Sequence, residues 1–278
     1  MNPGRSWERM AAGMLAGLMA AAGALAADTT PPPADDDEIE GAVGLILSHR
    51  PRFAGSSSYE VKPVPAGFLR WGRLTVTGAG GFTTRRKDDV DRGLGAELVN
   101  RERLRLSLHL RYDNGRTEGD NPELAGMGAI KRTLRARLST RWDLTQDLRL
   151  SAGVSADLLG RVGGYLVDTT VTRQWRLGPD TTWHLALGLT AASDRYLQAW
   201  HGVTPEQAAR TGYEVFTVPE GLKLRDIGLS GTLRTDFSPR WSGFAGVSAS
   251  RWLGPVADSP LTRRKSVAGL SAGLVWRF

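Results

Sequence analysis

Long stretches of strict alternation between apolar and polar residues constrain this sequence more than any other feature. Residues 102–112, 131–142 and 147–158 each keep one set of positions apolar and the intervening set polar. In the first segment the apolar positions are Leu104, Leu106, Leu108, Leu110 and Tyr112. A helix would mix the two sets, whereas a strand separates them onto opposite faces. The pattern therefore predicts β-strands with one apolar face.

The length of the segments indicates a membrane barrel rather than a soluble sheet. Further candidate strands cover 163–176, 181–191, 222–237, 240–252 and 267–278, with weaker segments at 41–48, 58–71, 73–82 and 90–98. Most run for about 10 to 15 residues, while strands of soluble proteins average about 5 to 6 and tilted membrane strands need about 9 to 11. We predict an all-β fold, a transmembrane antiparallel up-and-down β-barrel of about twelve strands, or ten without the first two segments.

The connections between the segments alternate in length. Short links are expected at 71–73, 99–101, 143–146, 177–180 and 237–240, and longer links at 49–57, 83–89, 113–130, 192–221 and 253–266. Only the link at 159–162 is short where a long one is expected. Outer-membrane barrels have short periplasmic turns and longer external loops. We therefore expect both ends of the mature chain on the periplasmic side.

The N-terminal region predicts export. Arg5 and Arg9 precede an apolar stretch that ends in the triplet Ala24-Leu25-Ala26, as in a signal peptide covering residues 1–26. Residues 27–40 contain three prolines and six acidic residues. Such a segment cannot bury a core, so we predict a disordered acidic leader, followed by the barrel over 41–278.

Composition excludes several functional classes. The chain has no cysteine, which removes disulfides, thiolate catalysis and cysteine-type zinc sites, and we expect neither a cofactor nor a metal site.

Lys and Arg number 36 against 29 Asp and Glu, a net charge of +7. In a cytosolic protein this balance would suggest nucleic-acid binding. An exported chain rarely meets nucleic acid, so we predict outer-membrane lipids as the surroundings and no nucleic-acid partner.

The end of the sequence carries a predicted assembly signal. Its residues are Ser271, Gly273, Trp276 and Phe278. Alternation places Trp276 and Phe278 together on the lipid-facing side of the last strand. A strand edge with a defined apolar face is a template for strand addition. We therefore expect the barrel assembly machinery to be a partner.

The polar faces of the strands carry charges that a barrel would enclose. The candidate lumen charges are Arg105, Arg111, Arg135, Arg137, Arg149, Asp157, Asp226, Arg234 and Asp236. Enclosed charges must be compensated, so two structures are consistent with this set. One is a charge network that fills and stiffens the barrel, and the other is a basic constriction that favours anions. A barrel of about twelve strands is narrow, which favours the network.

The sequence contains no recognisable set of catalytic residues. The histidines are His49, His109, His184 and His201. His109 and His184 fall on lumen faces, where we expect a hydrogen-bonded structural role. None lies in a motif that pairs it with a nucleophile. We predict a protein that is not an enzyme.

The longest external loop contains a helix-start signature. Thr204, Pro205 and Gln207 suit the cap, first turn and capping box of a helix, which predicts a short helix over 204–210. The aromatic residues around it are Tyr196, Trp200, Tyr213 and Phe216. We expect these rings in the interfacial girdle, with contact to a partner as the alternative.

Several motifs follow one another in a characteristic order. They are Lys62-Pro63-Val64-Pro65, Tyr196-Leu197-x-x-Trp200, Glu206 to Arg210, Thr211-Gly212-Tyr213, Glu220-Gly221-Leu222, Phe237-Ser238-Pro239-Arg240-Trp241 and Gly273-x-x-Trp276-Arg277-Phe278. The most specific motif precedes the last strand and consists of Ala257, Asp258, Ser259, Pro260 and Leu261. Together these motifs resemble the MipA/OmpV family of outer-membrane proteins.

The resemblance implies a scaffold of the Gram-negative cell envelope. The MltA-interacting protein for which the family is named is thought to join a murein lytic transglycosylase to a bifunctional penicillin-binding protein. The expected function is therefore a link between murein hydrolase and synthase in peptidoglycan assembly, located in the outer membrane. The alternative is a narrow, anion-favouring pore for small solutes.

Overall fold

The chain folds into a closed antiparallel β-barrel. The computed structural model describes residues 39–78 and 91–278. The strands are β1 (Ile39–Pro51), β2 (Tyr59–Trp71), β3 (Leu74–Thr77), β4 (Gly93–Asn100), β5 (Leu104–Asp113), β6 (Thr133–Asp143), β7 (Leu148–Asp157), β8 (Tyr165–Arg176), β9 (Thr181–Ala192), β10 (Lys223–Asp236), β11 (Trp241–Trp252) and β12 (Ser266–Arg277). Each strand pairs with its neighbours in the chain, and β12 pairs with β1.

The prediction of a barrel with twelve strands is confirmed. The ten-strand alternative is wrong because the first two segments form β1 and β2, which pair over their full lengths. The predicted start at residue 41 is two residues late, since Ile39 already pairs with Trp71. Ile39 and Glu40 therefore belong to the sheet. The predicted signal peptide 1–26 and residues 27–38 of the predicted leader lie outside the described residues.

The connections alternate in length, as expected. One end of the barrel, here called the turn end, carries links of two to four residues at 72–73, 101–103, 144–147, 177–180 and 237–240. The other end, the long-loop end, carries residues 52–58, 114–132, 158–164, 193–222 and 253–265. The sixth link at that end contains residues 79–90, which lie outside the described part. In an up-and-down barrel, successive links lie at opposite ends. Link length alternates along this chain because one end has short links and the other has long ones.

The seam between β1 and β12 is held by the C-terminal motif. Ala42 lies opposite Arg277, and Gly41 and Phe278 exchange backbone hydrogen bonds of 3.1 and 3.0 Å. A Cβ atom on Gly41 would lie 2.2 Å from the Phe278 ring, so only glycine admits the ring there. Trp276 packs beside Phe278 with ring centroids 5.2 Å apart. The predicted apolar side of the last strand therefore also packs across the seam.

Alternation along the strands separates a lipid-facing wall from an enclosed interior. In β1 the exposed positions Val43, Leu45 and Leu47 alternate with the buried Ala42 and Ile46. Six tryptophans near the turn end form a ring, here called the tryptophan belt: Trp71, Trp142, Trp175, Trp183, Trp241 and Trp276. Indole rings prefer the boundary between membrane and water. The belt therefore marks one boundary of the membrane-embedded zone.

Short helices form at the long-loop end. They are α1 (Asp194–His201), α2 (Pro205–Thr211) and α3 (Gly254–Asp258), with 3-10 turns at Glu118–Asp120 and Pro122–Leu124. The helix predicted over 204–210 is confirmed as α2, where Thr204 and Gln207 form the reciprocal capping box and Gly212 ends the helix at φ 72°. Within residues 39–78 and 91–278, no helix has the length and hydropathy that a membrane span requires.

The long loops pack on one another to form a cap, defined here as residues 52–58, 114–132, 193–222 and 253–265. One apolar cluster contains Ala192, Tyr196, Leu197, Val218 and Val256, and Trp200 and Phe216 pack against it. A second contains Met127, Val203 and Leu261, with Tyr213 and Phe216 against it. The expected girdle position of the loop aromatic residues is therefore wrong, because the loops fold back and pack these rings on each other.

Candidate functional site

An ion-pair network centred on Arg137 fills one side of the barrel interior. The guanidinium contacts both carboxylate oxygens of Asp168, with Nη2 to Oδ2 at 2.8 Å, and its Nε donates to Asp91 at 3.1 Å. Ser139 donates to the same Asp91 carboxylate at 3.0 Å, and His109 Nδ1 lies 3.7 Å from it. Such two-pronged, charge-assisted bonds are among the strongest in proteins. The network therefore ties β5, β6 and β8 together.

A glycine in the intervening strand makes room for this network. Gly153 of β7 lies in register between Ser139 of β6 and Asp168 of β8. A Cβ atom on Gly153 would lie 2.5 Å from Cζ of Arg137. The missing side chain lets the guanidinium lie across β7 and reach the carboxylate on β8.

Further ion pairs follow the inner wall. They are Arg135 with Asp113 at 2.8 Å, Arg149 with Asp143 at 2.7 Å, Arg277 and Arg234 with Asp236 at 2.7 and 3.6 Å, Arg70 with Glu40 at 3.5 Å, and Arg225 with Asp226. Each pair joins residues on the same, an adjacent or the next-but-one strand. The four pairs that join different strands therefore stiffen the wall.

Two further predicted lumen charges have different settings. Arg105 lines an interior cavity, whereas the Arg111 side chain is 45% exposed and lies 4.0 Å from Asp113. A β-bulge beside Asp226 brings the consecutive residues Arg225 and Asp226 into one ion pair. Strict alternation missed Arg225 as a lumen residue, because a bulge shifts the register by one residue.

The structure gives Asp157 a role that the alternation did not predict. Its carboxylate accepts hydrogen bonds from the backbone N–H groups of Val162 and Gly163 at 2.7 and 2.9 Å, and from the Thr133 hydroxyl. The short link at 158–164 folds back over the carboxylate. The expected pairing with a lumen arginine is replaced by this loop contact.

Two interior cavities have a basic lining. The central cavity has a volume of about 250 Å³ and is lined by Arg70, Arg105, Arg137 and Arg141 against Asp91, Glu97 and Asp168. A second cavity, of about 340 Å³, is lined by Arg92, Arg111, Arg135, Arg137 and Arg225 against Asp91 and Asp168. Basic groups outnumber acidic groups in both linings, so the field inside favours anions.

The other side of the interior is apolar. Its cluster is Ala42, Ile46, Ala66, Phe68 and Val275, with Val64 and Phe244 packed against it. Ser271 and Gly273 of the predicted assembly motif face this side, and a Cβ atom on Gly273 would lie 2.5 Å from the Phe244 ring. The interior is therefore polar on one side and apolar on the other, a division that the alternation did not predict.

The motif at 257–261 connects two parts of the cap. Ser259 is 3% exposed, and its hydroxyl donates to the His201 carbonyl at 2.6 Å and accepts from the Leu261 N–H at 3.2 Å. Leu261 packs with Met127 and Val203. The motif thus joins the end of α1 to the loop that precedes the last strand.

His201 is buried at the end of α1 and is 4% exposed. Burial, together with the nearby guanidiniums of Arg225 and Arg116, lowers its pKa to about 3. The ring is therefore neutral at physiological pH. The other histidines contact Asp91 (His109), Thr182 (His184) and Tyr59 (His49).

Comparison with known proteins gives a family and a set of similar barrels. The chain matches the family model described as MltA-interacting protein MipA over residues 43–278. No curated protein matches the sequence. The NanC porin structure is similar at 9% identity and TM-score 0.45, covering 84% of this chain and 98% of that chain. Outer-membrane expressed OmpT of Vibrio cholerae has 7% identity and TM-score 0.39, covering 90% and 100%. OprD of Pseudomonas aeruginosa has 6% identity and TM-score 0.36, covering 89% and 98%.

The family match includes the structural features that define this molecule. It runs from within β1 through all later strands, and it contains both the cap motif at 257–261 and the seam residue Phe278. The chain is an outer-membrane β-barrel and belongs to the MltA-interacting protein MipA family.

Proposed function

We propose that this protein is a non-catalytic scaffold that links a murein lytic transglycosylase to a bifunctional penicillin-binding protein. The family supports the first of these partners, since its name describes an interaction with MltA. The observation that carries the proposal is an interior braced by side-chain contacts. Ion pairs link the strands on one side, the apolar cluster packs on the other, and the cap packs at the long-loop end. A barrel braced in this way is stiff and suits the presentation of a fixed surface.

The turn end is the surface that we propose for partner binding. Short turns of outer-membrane barrels face the periplasm, and we propose the same orientation here, with both ends of the mature chain on that side. Each turn offers only two to four residues. Residues 27–38 carry five acidic residues and would be the largest periplasmic feature. Glu40, the sixth acid of the predicted leader, lies in β1 and 3.5 Å from Arg70, so it belongs to the barrel.

Crosslinking in intact cells tests the scaffold. Deletion of residues 28–38 should reduce the recovery of murein hydrolases and synthases with the crosslinked protein. The variant that combines Asp35→Asn, Asp36→Asn, Asp37→Asn and Glu38→Gln keeps the length and removes charge. It should reduce recovery to a similar extent if long-range attraction recruits the partner, an attraction that screening limits to about 8 Å at physiological salt. Both variants spare Ile39, so barrel assembly should be unchanged.

The outcomes separate the scaffold from other roles. Unchanged recovery with both variants would move the contact to the turns or to the barrel wall. Recovery of no murein enzyme from the wild-type protein would contradict the scaffold.

A narrow anion-favouring pore is the second candidate, and the basic cavity linings favour it. Purified protein in planar bilayers should show little conductance if the lumen arginines are held in ion pairs. Anion-selective conductance that falls on Arg137→Gln or Arg149→Gln would establish the pore instead. Arg173→Gln is the matched control, because the Arg173 guanidinium lies over the Trp175 ring, 5.2 Å from its centroid, on the outer wall.

A further inference from the structure

A pocket of about 410 Å³ lies at the long-loop end, between the cap and the ends of β1 and β2. Its lining includes Arg50, Arg52, Phe53, Glu60, Lys62 and Arg116. Its volume falls within the range of small-molecule sites, about 300 to 1,000 Å³. The size therefore suits a ligand rather than a single ion.

The charges around this pocket are not balanced. Four basic residues face a single acid, Glu60, whose carboxylate lies 3.8 Å from Arg50. Within residues 39–78 and 91–278, no carboxylate forms an ion pair with Arg52 or Lys62. Cations that converge on a concave surface repel one another and concentrate a positive potential. An anion in the pocket would relieve that repulsion.

The rings of Trp200 and Phe53 add apolar surface to the lining. Both side chains are partly exposed. An organic body attached to an anionic group could pack on these rings and bind more tightly than the charge alone.

The frame around the pocket is already fixed. Arg116 and Ile130 exchange backbone hydrogen bonds of 3.1 and 2.7 Å, and the Arg116 guanidinium donates to the Trp200 carbonyl at 2.9 Å. The His201 carbonyl is held by Ser259. A binding site in this frame would need little rearrangement, which favours affinity.

We propose that this pocket binds a small organic anion, in which a carboxylate or phosphate group is attached to a compact organic body. Arg52 and Lys62 would bind the charged group, because they have no partner among the described carboxylates. Phe53 and Trp200 would contact the body through the exposed parts of their rings. This site is independent of the scaffold and of conduction through the lumen.

Calorimetric titration of the full-length protein in detergent tests the proposal. Glucose 6-phosphate and glucuronate are the anionic probes, glucose is the neutral probe, and inorganic phosphate reports the charge alone. We expect at least one organic anion to bind more tightly than inorganic phosphate, and glucose not to bind. The double variant Arg52→Gln and Lys62→Gln should weaken that binding at least about ten-fold, since it removes both charge-assisted contacts.

The matched control removes two charges from the same end of the barrel. Lys131 and Arg132 are exposed and do not line the pocket, so Lys131→Gln with Arg132→Gln should leave the affinity unchanged. Unboiled gel migration checks that both double variants are folded. The proposal is overturned if neither organic anion binds at about 10 mM, a very weak affinity on the usual scale, or if both double variants bind equally. Binding of inorganic phosphate as tight as that of the organic anions would also overturn it.

Discussion

Arg137 and His201 show how the same burial acts differently on two basic side chains. Arg137 keeps its charge inside the barrel because Asp91 and Asp168 compensate it. His201 stays neutral because burial and two guanidiniums oppose protonation of its ring. Alternation predicted that Arg137 faces the lumen. It could not predict the contact with Asp91, which lies outside the strands, or the burial of His201, which depends on loops that have no periodicity.

The gap at Gly153 leads to a prediction about the Arg137 network. Gly153→Val would place side-chain atoms where the guanidinium lies, so the pair with Asp168 should be displaced and the barrel destabilised by about 1 to 3 kcal/mol. The measurement is the temperature at which the folded band converts to the unfolded band on a gel. Gly67→Val is the control, because Gly67 also lies in a strand and no atom approaches its Cβ position within 4 Å. Equal shifts for the two variants would contradict the role of the gap.

The neutral His201 predicts a pH dependence of the cap. The ring has a pKa of about 3 when folded and about 6.5 when exposed. Above about pH 6.5 neither form binds a proton, so this residue adds no pH dependence. Below that pH His201 binds a proton in the opened cap but stays neutral in the closed cap. The free energy that favours the closed cap therefore falls by about 1.4 kcal/mol per pH unit.

Hydrogen exchange in α1 between pH 7 and pH 5 measures this effect. Protection should fall as the pH falls, and His201→Phe should flatten the dependence because it removes the titrating group. An equally steep dependence in that variant would assign the effect to other residues.

Most strands were predictable to within a few residues, while the two sides of the interior were not. Period-two alternation identifies a face only when the other face is polar. In β1 the run from Ala42 to Leu47 is apolar on both faces apart from Gly44, so the pattern could not reveal that Ile46 packs inside. Continuous apolar runs within a barrel strand are the signal that would have indicated an apolar interior. The seam could not be predicted either, because it depends on the pairing of β1 with β12, which neither strand's own pattern reveals.

The seam predicts a specific effect of Phe278. Phe278→Asp should lower the amount of assembled protein several-fold without affecting export, because the ring no longer packs over Gly41 and the closing pair of strands is weakened. The measurement is the heat-modifiable band in outer-membrane fractions. Phe237→Asp is the control, since Phe237 is also exposed at the turn end but lies outside the seam. If both variants lose similar amounts of assembled protein, the loss is due to a charge at the boundary between membrane and water, not to the seam.

At the scale of the whole molecule, the barrel and the cap are held by different interactions. Continuous backbone pairing closes the barrel, whereas the cap depends on two small apolar clusters and a few side-chain hydrogen bonds. Regions with few buried contacts open at lower free energy than a closed sheet. The cap should therefore open while the barrel stays folded.

Ser259→Ala tests this separation. The variant leaves the His201 carbonyl without its donor and should weaken the cap by about 1 to 3 kcal/mol. Limited proteolysis should cut residues 193–222 faster, while the unboiled barrel band on a gel stays unchanged. Asp258→Asn is the neighbouring control, because Asp258 is exposed and meets only Lys265 at 3.4 Å among its described contacts. Loss of the barrel band in Ser259→Ala would show that cap and barrel unfold together.

The tryptophan belt also has a mechanical consequence. Each indole has a preferred depth at the boundary between lipid and water, so a ring of six at one end acts as a stop against movement along the barrel axis. A pull on the turn end must draw all six rings out of that boundary together. The proposed scaffold would experience such a pull whenever its partners work on a stretched murein layer. The belt would then transmit the load to the surrounding lipid, sparing the ion pairs within the barrel.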